Sequence, residues 1–150
     1  MLILLGSASD QTLATKVTDT LRSLRIPFRL RVASAHRSPQ LVLEEIERSP
    51  AKVLIGVAGL SAALPGVMAA HTLRPVIGIP AASPVGLDSI LSVVQMPKGV
   101  PVAAVGLDNG VNAALLAARI LALSDPALHE RLRAYAQEAR AEIEALEPQH

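Results

Sequence analysis

Short apolar runs alternate with amphipathic stretches along most of the chain. Residues 2–5 are apolar throughout and end at Gly6, the pattern of a buried strand. Ser9 and Asp10 then offer helix caps, and Leu13, Val17, Leu21 and Leu24 follow at helical spacing until Pro27 stops the helix. Residues 28–33 read as a second strand, and Pro39 opens a helix carrying Leu41, Val42, Leu43 and Ile46. The next elements are a strand over 52–57, a short helix of small residues over 62–71 and a strand over 76–80. A helix over 87–94, a strand over 100–105 and an Ala/Leu-rich helix over 109–123 complete the series.

Strands apolar on both faces, each followed by a helix, predict an α/β fold. The expected form is a three-layer α/β/α sandwich around a five-stranded parallel sheet. The preferred strand order is flavodoxin-like, 2-1-3-4-5, with right-handed crossovers. The chain is expected to be a single catalytic domain over 1–150, with its core in 1–123. An extra C-terminal helix follows over about 125–147, opened by Ser124, Asp125 and Pro126. Leu128, Leu132, Tyr135, Ala139, Ile143 and Leu146 form one stripe along it. Two readings of that stripe stand level: it packs on its own domain, or on a neighbouring subunit.

Composition narrows the classes. Half of the chain (51%) is hydrophobic but only 1% is aromatic, so Leu, Val, Ile and Ala must build the core. A mean hydropathy of +0.41 points to apolar surface covered by other subunits. A net charge of +1, with no basic stripe interleaved with aromatics, argues against nucleic-acid binding. The absence of cysteine excludes disulfides and a thiol nucleophile, and fits the cytosol. No secretory leader is read at the N-terminus. Residues 53–73 carry no Asp, Glu, Lys or Arg, yet Gly56, Gly59, Pro65 and Gly66 interrupt them. A strand, a glycine loop and a helix explain them better than a membrane span.

In a 2-1-3-4-5 sheet the strand order reverses between strands 1 and 3, and ligands bind outside the carboxyl ends there. The loops after strands 1, 2 and 3 are therefore expected to meet at that point. Gly6-Ser7-Ala8-Ser9-Asp10 combines hydroxyls with a helix N-terminus, a phosphate seat, and Asp10 suits ribose hydroxyls. Taken alone, that motif is better explained as a plain capped helix start, with Ser9 or Asp10 as cap. Ser34-Ala35-His36-Arg37-Ser38-Pro39 sets a proton-exchanging side chain beside a bidentate phosphate ligand. The competing reading is two solvated surface residues. Gly56-Val57-Ala58-Gly59, running into Leu64-Pro65-Gly66, either lets a ligand approach the backbone or permits tight helix–sheet packing. His71 reads as structural, His129 and His150 as solvated, and Asp88 as a cap. No His/Asp/Glu cluster has metal-site spacing, so no metal is expected.

Together these segments resemble the N5-carboxyaminoimidazole ribonucleotide mutase family, through G-S-x-S-D, S-A-H-R-[ST]-P and L-P-G. The likeness continues in Gly86-Leu87-Asp88-Ser89, in Ser92-Val93-Val94-Gln95-Met96-Pro97 and in Asn112-Ala113-Ala114-Leu115-Leu116-Ala117-Ala118. It covers residues 2–123 in unbroken order. The resemblance implies an isomerase of purine biosynthesis, using neither metal nor organic cofactor, that assembles as a homo-octamer in the cytoplasm. Its partners would be a ribonucleotide and CO2, with no nucleic acid and no membrane. It also implies residue roles. His36 would be catalytic, Ser7 and Arg37 would hold the 5′-phosphate and Asp10 the ribose. Ser9 and Ser34 would line the site, and Gly59 and Leu64 would contact the base through backbone. Small apolar walls from Ala58, Ala62 and Leu64 would retain CO2.

The chain departs from the family pattern at three places. Ala63 stands where the mutases carry a second His, the loop 81–85 is short and lacks a Gln, and Leu107 replaces a Lys. A sister class, the aminoimidazole ribonucleotide carboxylases, takes free CO2 and also lacks that His. It typically carries Lys where Arg37 stands, and lacks the V-Q-M-P segment kept here, so the mutase is favoured. A non-catalytic nucleotide-phosphate binding module is the alternative from another class, and His36 speaks against it.

Overall fold

The four apolar residues Leu2–Leu5 form β1, an interior strand of a parallel sheet. The computed structural model describes residues 1–82 and 87–146. A 3₁₀ turn over Ala8–Asp10 leads into α1 (Gln11–Ser23), followed by β2 (Arg29–Val32) and α2 (Pro39–Arg48). Next come β3 (Leu54–Ala58), α3 (Leu64–Ala70), β4 (Val76–Pro80) and α4 (Asp88–Val94). The chain continues through β5 (Ala103–Ala104) and α5 (Gly110–Ala122) to α6 (Pro126–Glu144). The strand order is β2-β1-β3-β4-β5, as expected, with every pairing parallel.

The two-residue period of the strands sorts their side chains into two cores. Ile3, Leu5, Ile55, Val57, Ile77 and Ile79 face α1 and α5 on one side. Leu2, Leu4, Leu54 and Ala58 face the layer of α2, α3 and α4 on the other. On this second face Gly56 and Gly78 lie side by side in register. A Cβ at Gly56 would sit 2.9 Å from Met68 Sδ, and one at Gly78 would sit 2.5 Å from Val93 Cγ1 and 3.0 Å from Pro65 Cβ. These two glycines let α3 and α4 lie directly on the sheet.

Both sheet edges correct the expectation of strands apolar on both faces. On β2, Arg29, Arg31 and Val32 are exposed. The two arginines converge on the buried Glu45 of α2, at 2.7 and 3.4 Å, so an ion-paired layer replaces apolar packing there. β5 has two residues rather than the expected six. Gly99 takes φ +96°, Val100 N–H turns back to Pro97 O, and Pro101 has no N–H to donate to a ladder.

The first half of the C-terminal helix packs on its own domain. Asp125 caps it by accepting the Leu128 N–H, Leu128 is buried, and Leu132 and Tyr135 pack on the same core as α5. Arg131 Nε donates to Leu24 O and ties α6 to the end of α1. Farther along, Ile143 and Leu146 are 69% and 70% exposed, so the distal half of the stripe is uncovered. Residue 147 lies outside the described residues. Residues 53–73 make β3, a loop and α3, and no described helix is long and apolar enough to cross a membrane.

Candidate active site at the carboxyl edge of the sheet

The three loops meet. A cleft of about 460 Å³ opens at the carboxyl ends of β1, β2, β3 and β4, a volume ordinary for a small-molecule site. Gly6, Ser7, Ser9, Asp10, Ser34, His36, Arg37, Gly59 and Leu64 all line it, so every residue singled out as a site candidate reaches one space. The parallel register brings them there: Gly6 N–H bonds Val57 O and Ala33 N–H bonds Leu5 O, which aligns the three strand ends.

The β1 loop is built around Ser7. Its side chain accepts the Ser9 N–H while the Asp10 carboxylate accepts the Ser7 N–H, a reciprocal cap. Ser7 therefore caps the 3₁₀ turn, whereas Asp10, one of the two expected caps, holds the N-cap position of α1 without a side-chain cap bond. Burial pushes the Asp10 carboxyl above its ordinary value, and its bonds from Ser7 N–H and the Ser9 hydroxyl oppose that rise. In the β2 loop, the Ser38 hydroxyl accepts the Ser34 N–H, and the Ser34 hydroxyl accepts the Arg37 N–H. The Arg37 guanidinium crosses to the β1 loop and donates to Gly6 O at 3.1 Å. A fixed cation thus stands beside the Ser7 turn, an arrangement suited to an anionic oxygen group. His36 is exposed on the same loop.

The glycines of the third loop separate by function. Gly56 and Gly66 are packing positions, the latter with Met96 Cε 3.0 Å from an added Cβ. Gly59 faces the cleft, and a Cβ there would meet only Ala81 Cβ, at 3.8 Å. Gly6 has ordinary backbone and its nearest neighbour is 3.5 Å away, so its turn does not require glycine.

Opposite the polar side stands an apolar wall of Ala58, Leu60, Ala63, Leu64 and Ala81. Ala62 does not belong to it, contrary to expectation: its side chain is fully buried against α3. Sequence reasoning missed Leu60 and Ser61 within the third loop, and it missed Ala81 and Ala82 because it stopped at the first three strands. The available signal was the place of β4 beside β3, where Ala81 N–H bonds Ala58 O. Asp88 does not cap its own helix; its carboxylate accepts the Ser61 N–H. Gly86 and residues 83–85 of the short loop lie outside the described residues, as does His150. His71 and His129 are exposed and away from the cleft. Among the described residues, no three His, Asp or Glu side chains gather as a metal site would need.

A family model described as AIR carboxylase matches residues 1–142. The N5-carboxyaminoimidazole ribonucleotide mutase of Methanocaldococcus jannaschii is 47% identical over 144 residues, covering 95% of this chain and 92% of its own. The mutase of Pseudomonas aeruginosa is 46% identical over 140 residues, covering 89% and 86%. A crystal structure of Treponema denticola PurE superimposes with a TM-score of 0.87 at 31% identity, covering 95% of this chain and 92% of that one.

Proposed function

The chain belongs to the AIR carboxylase family, and from that premise we propose that its cleft binds N5-carboxyaminoimidazole ribonucleotide with His36 as the proton carrier. The activity is that of a mutase of purine biosynthesis, moving a carboxylate from N5 to C4 of the imidazole ribonucleotide. The observation that carries the reading is the convergence of the Ser7, Arg37 and Gly59 loops on one cleft with His36 at its rim.

The residues divide the work by chemistry. Arg37 and the Ser7 turn take the 5′-phosphate, because a guanidinium and a helix start both favour a dianion. Asp10 accepts from the ribose hydroxyls, while Ser9 and Ser34 complete the polar side. Gly59 and Leu64 meet the base through backbone. His36 gives a proton to N5 as the carbamate C–N bond breaks, which releases CO2 and the neutral amine. CO2 then adds to C4, and His36 removes the C4 proton to restore the aromatic ring. One imidazole that donates and then accepts serves both steps. The apolar wall of Ala58, Ala63, Leu64 and Ala81 keeps CO2 beside the ring between them.

The assembly is a homo-octamer in the cytoplasm. The exposed Leu60 at the cleft, Leu87, Leu91 and Val94 at and along α4, and Ile143 and Leu146 at the end of the C-terminal helix supply apolar surface for it. Ala63, where the resemblance expects a His, favours a second reading, a carboxylase taking free CO2. A paired assay tests both. Turnover of N5-carboxyaminoimidazole ribonucleotide without added bicarbonate is the expected result. Turnover only of aminoimidazole ribonucleotide with CO2 would replace the mutase by the carboxylase. His36→Asn should abolish turnover and keep ligand affinity; near-normal activity in that variant would remove His36 from the mechanism.

A further inference from the structure

Two carboxylates outside the cleft reach the loops that carry its apolar side. Asp88 Oδ2 accepts the Ser61 N–H at 3.1 Å, across 27 residues. Asp108 Oδ1 accepts the Ala82 N–H at 2.8 Å, across 26 residues. Ser61 and Ala82 line the cleft; Asp88 and Asp108 do not. Among the described residues neither carboxylate is paired with a cation, so the backbone N–H groups are their partners.

The backbone at these points needs holding. Ser61 takes φ +47° and Asp108 takes φ +51°, a region that residues with a Cβ enter at a cost. Asp108 also donates its own N–H to Pro80 O, so it grips the end of β4 from both its backbone and its side chain. A carboxylate accepting an N–H makes a stronger bond than a neutral acceptor does. Without these two bonds, the Leu60–Ser61 segment loses its side-chain link to α4, and Ala82 loses its link to the loop before α5, which then holds the end of β4 only through Asp108 N–H and Pro80 O.

Resting on the reaction proposed above, we propose that Asp88 and Asp108 are positioning residues that hold the apolar wall in the geometry that retains CO2 between its release and recapture. They touch neither substrate nor the reacting atoms and act through Ser61 and Ala82. The phosphate side of the cleft, on Ser7 and Arg37, is anchored independently of them. Loosening the wall therefore uncouples the two half-reactions: the N5 carbamate still breaks, but CO2 escapes and the product is aminoimidazole ribonucleotide.

The test measures that leak in the full-length protein, with carbonic anhydrase present to consume escaping CO2. Asp88→Ala and Asp108→Gly remove the acceptor, and glycine also frees the backbone from its cost at position 108. Asp88→Asn and Asp108→Asn keep a carbonyl acceptor, and asparagine tolerates the left-handed region. The expected result is about a tenfold rise in the fraction of turnovers ending in aminoimidazole ribonucleotide for the Ala and Gly variants. KM should stay within about twofold, because the phosphate side is untouched. The Asn variants should stay near the parent protein. An unchanged leak in the Ala and Gly variants overturns the proposal, as does an equal leak in the Asn variants. If the parent protein turns over no substrate, the proposed reaction fails instead. Amide hydrogen exchange at Ser61 and Ala82 then judges the positioning role: faster exchange in the Ala and Gly variants supports it, and unchanged exchange overturns it.

Discussion

Gly59 and Gly78 look alike in sequence, each a glycine amid apolar residues, yet a methyl group at each should act through different physics. At Gly78 the added Cβ would sit 2.5 Å from Val93 Cγ1, 3.0 Å from Pro65 Cβ and 3.1 Å from Val102 Cγ1. All three neighbours belong to the packed layer on the sheet, so α3 or α4 must move. Overpacking of this kind costs about 1–3 kcal/mol, and Gly→Ala returns about 0.4–1 kcal/mol by stiffening the unfolded chain. With a contact this short the net loss falls at about 1–2.5 kcal/mol, or a drop in Tm of about 2–10 °C for a chain of this size. At Gly59 the added Cβ would touch only Ala81 Cβ, at 3.8 Å, an ordinary contact. Stability should hold, but the methyl occupies space where the base is proposed to meet the backbone. A misplaced methyl group in a binding pocket is worth about tenfold or more in kcat/KM. Thermal unfolding at fixed protein concentration and steady-state kinetics on both Ala variants separate the effects. Equal loss of Tm in the two variants would refute the packing argument. Full kcat/KM in Gly59→Ala would refute close approach at that loop.

Three further outcomes are expected. Arg37→Ala should raise KM by about 10-fold or more with a smaller effect on kcat, since a charge-assisted contact to phosphate is lost; unchanged affinity would remove the phosphate role. Glu45 carries a pH signature: its bond from Arg29 holds its carboxyl below the ordinary glutamate value against the opposing effect of burial, with Arg31 adding to the attraction. A depressed pKa stabilises the fold above the unfolded value, and that stability is lost as pH falls through the folded value. Denaturant unfolding should show Glu45→Gln less stable at neutral pH, with the gap to the parent closing on acidification; a constant gap would exclude the ion-paired edge as its source. Ile143→Glu places a charge on the uncovered half of α6 and should shift the sedimentation profile toward smaller species, whereas an unchanged profile would exclude that stripe from the assembly.

Much of this protein was legible in its sequence, for a local reason. The four-residue apolar run of β1, the β3 and β4 runs, and the 3.6-residue spacing of Leu13, Val17 and Leu21 are patterns that burial alone selects. The polar Ser7–Asp10 and Ser34–Arg37 segments stood out because they interrupt such runs at strand ends, where open parallel sheets keep their ligand sites. What escaped was nonlocal. The edge strand β2 tolerates Arg29 and Arg31 because Glu45, sixteen residues beyond Arg29, lies beneath them. Pro101 and the Gly99 turn shortened β5 although its residues are apolar. Gly56 and Gly59 differ by three positions in the chain, but only the packing of α3 makes one a contact point and leaves the other facing the cleft. Ala62 and Ala63 are neighbours of the same type; the turn before α3 buries the first and turns the second to the cleft. The carboxylates of Asp88 and Asp108 found their partners across the fold, at Ser61 and Ala82. Sequence by itself determined which segments form strands and helices and which loops line the cleft, because burial and turn formation act over a few residues. Only the tertiary structure decided which small residues line the cleft and which carboxylates bond its loops, because those choices depend on contacts between residues far apart in the chain.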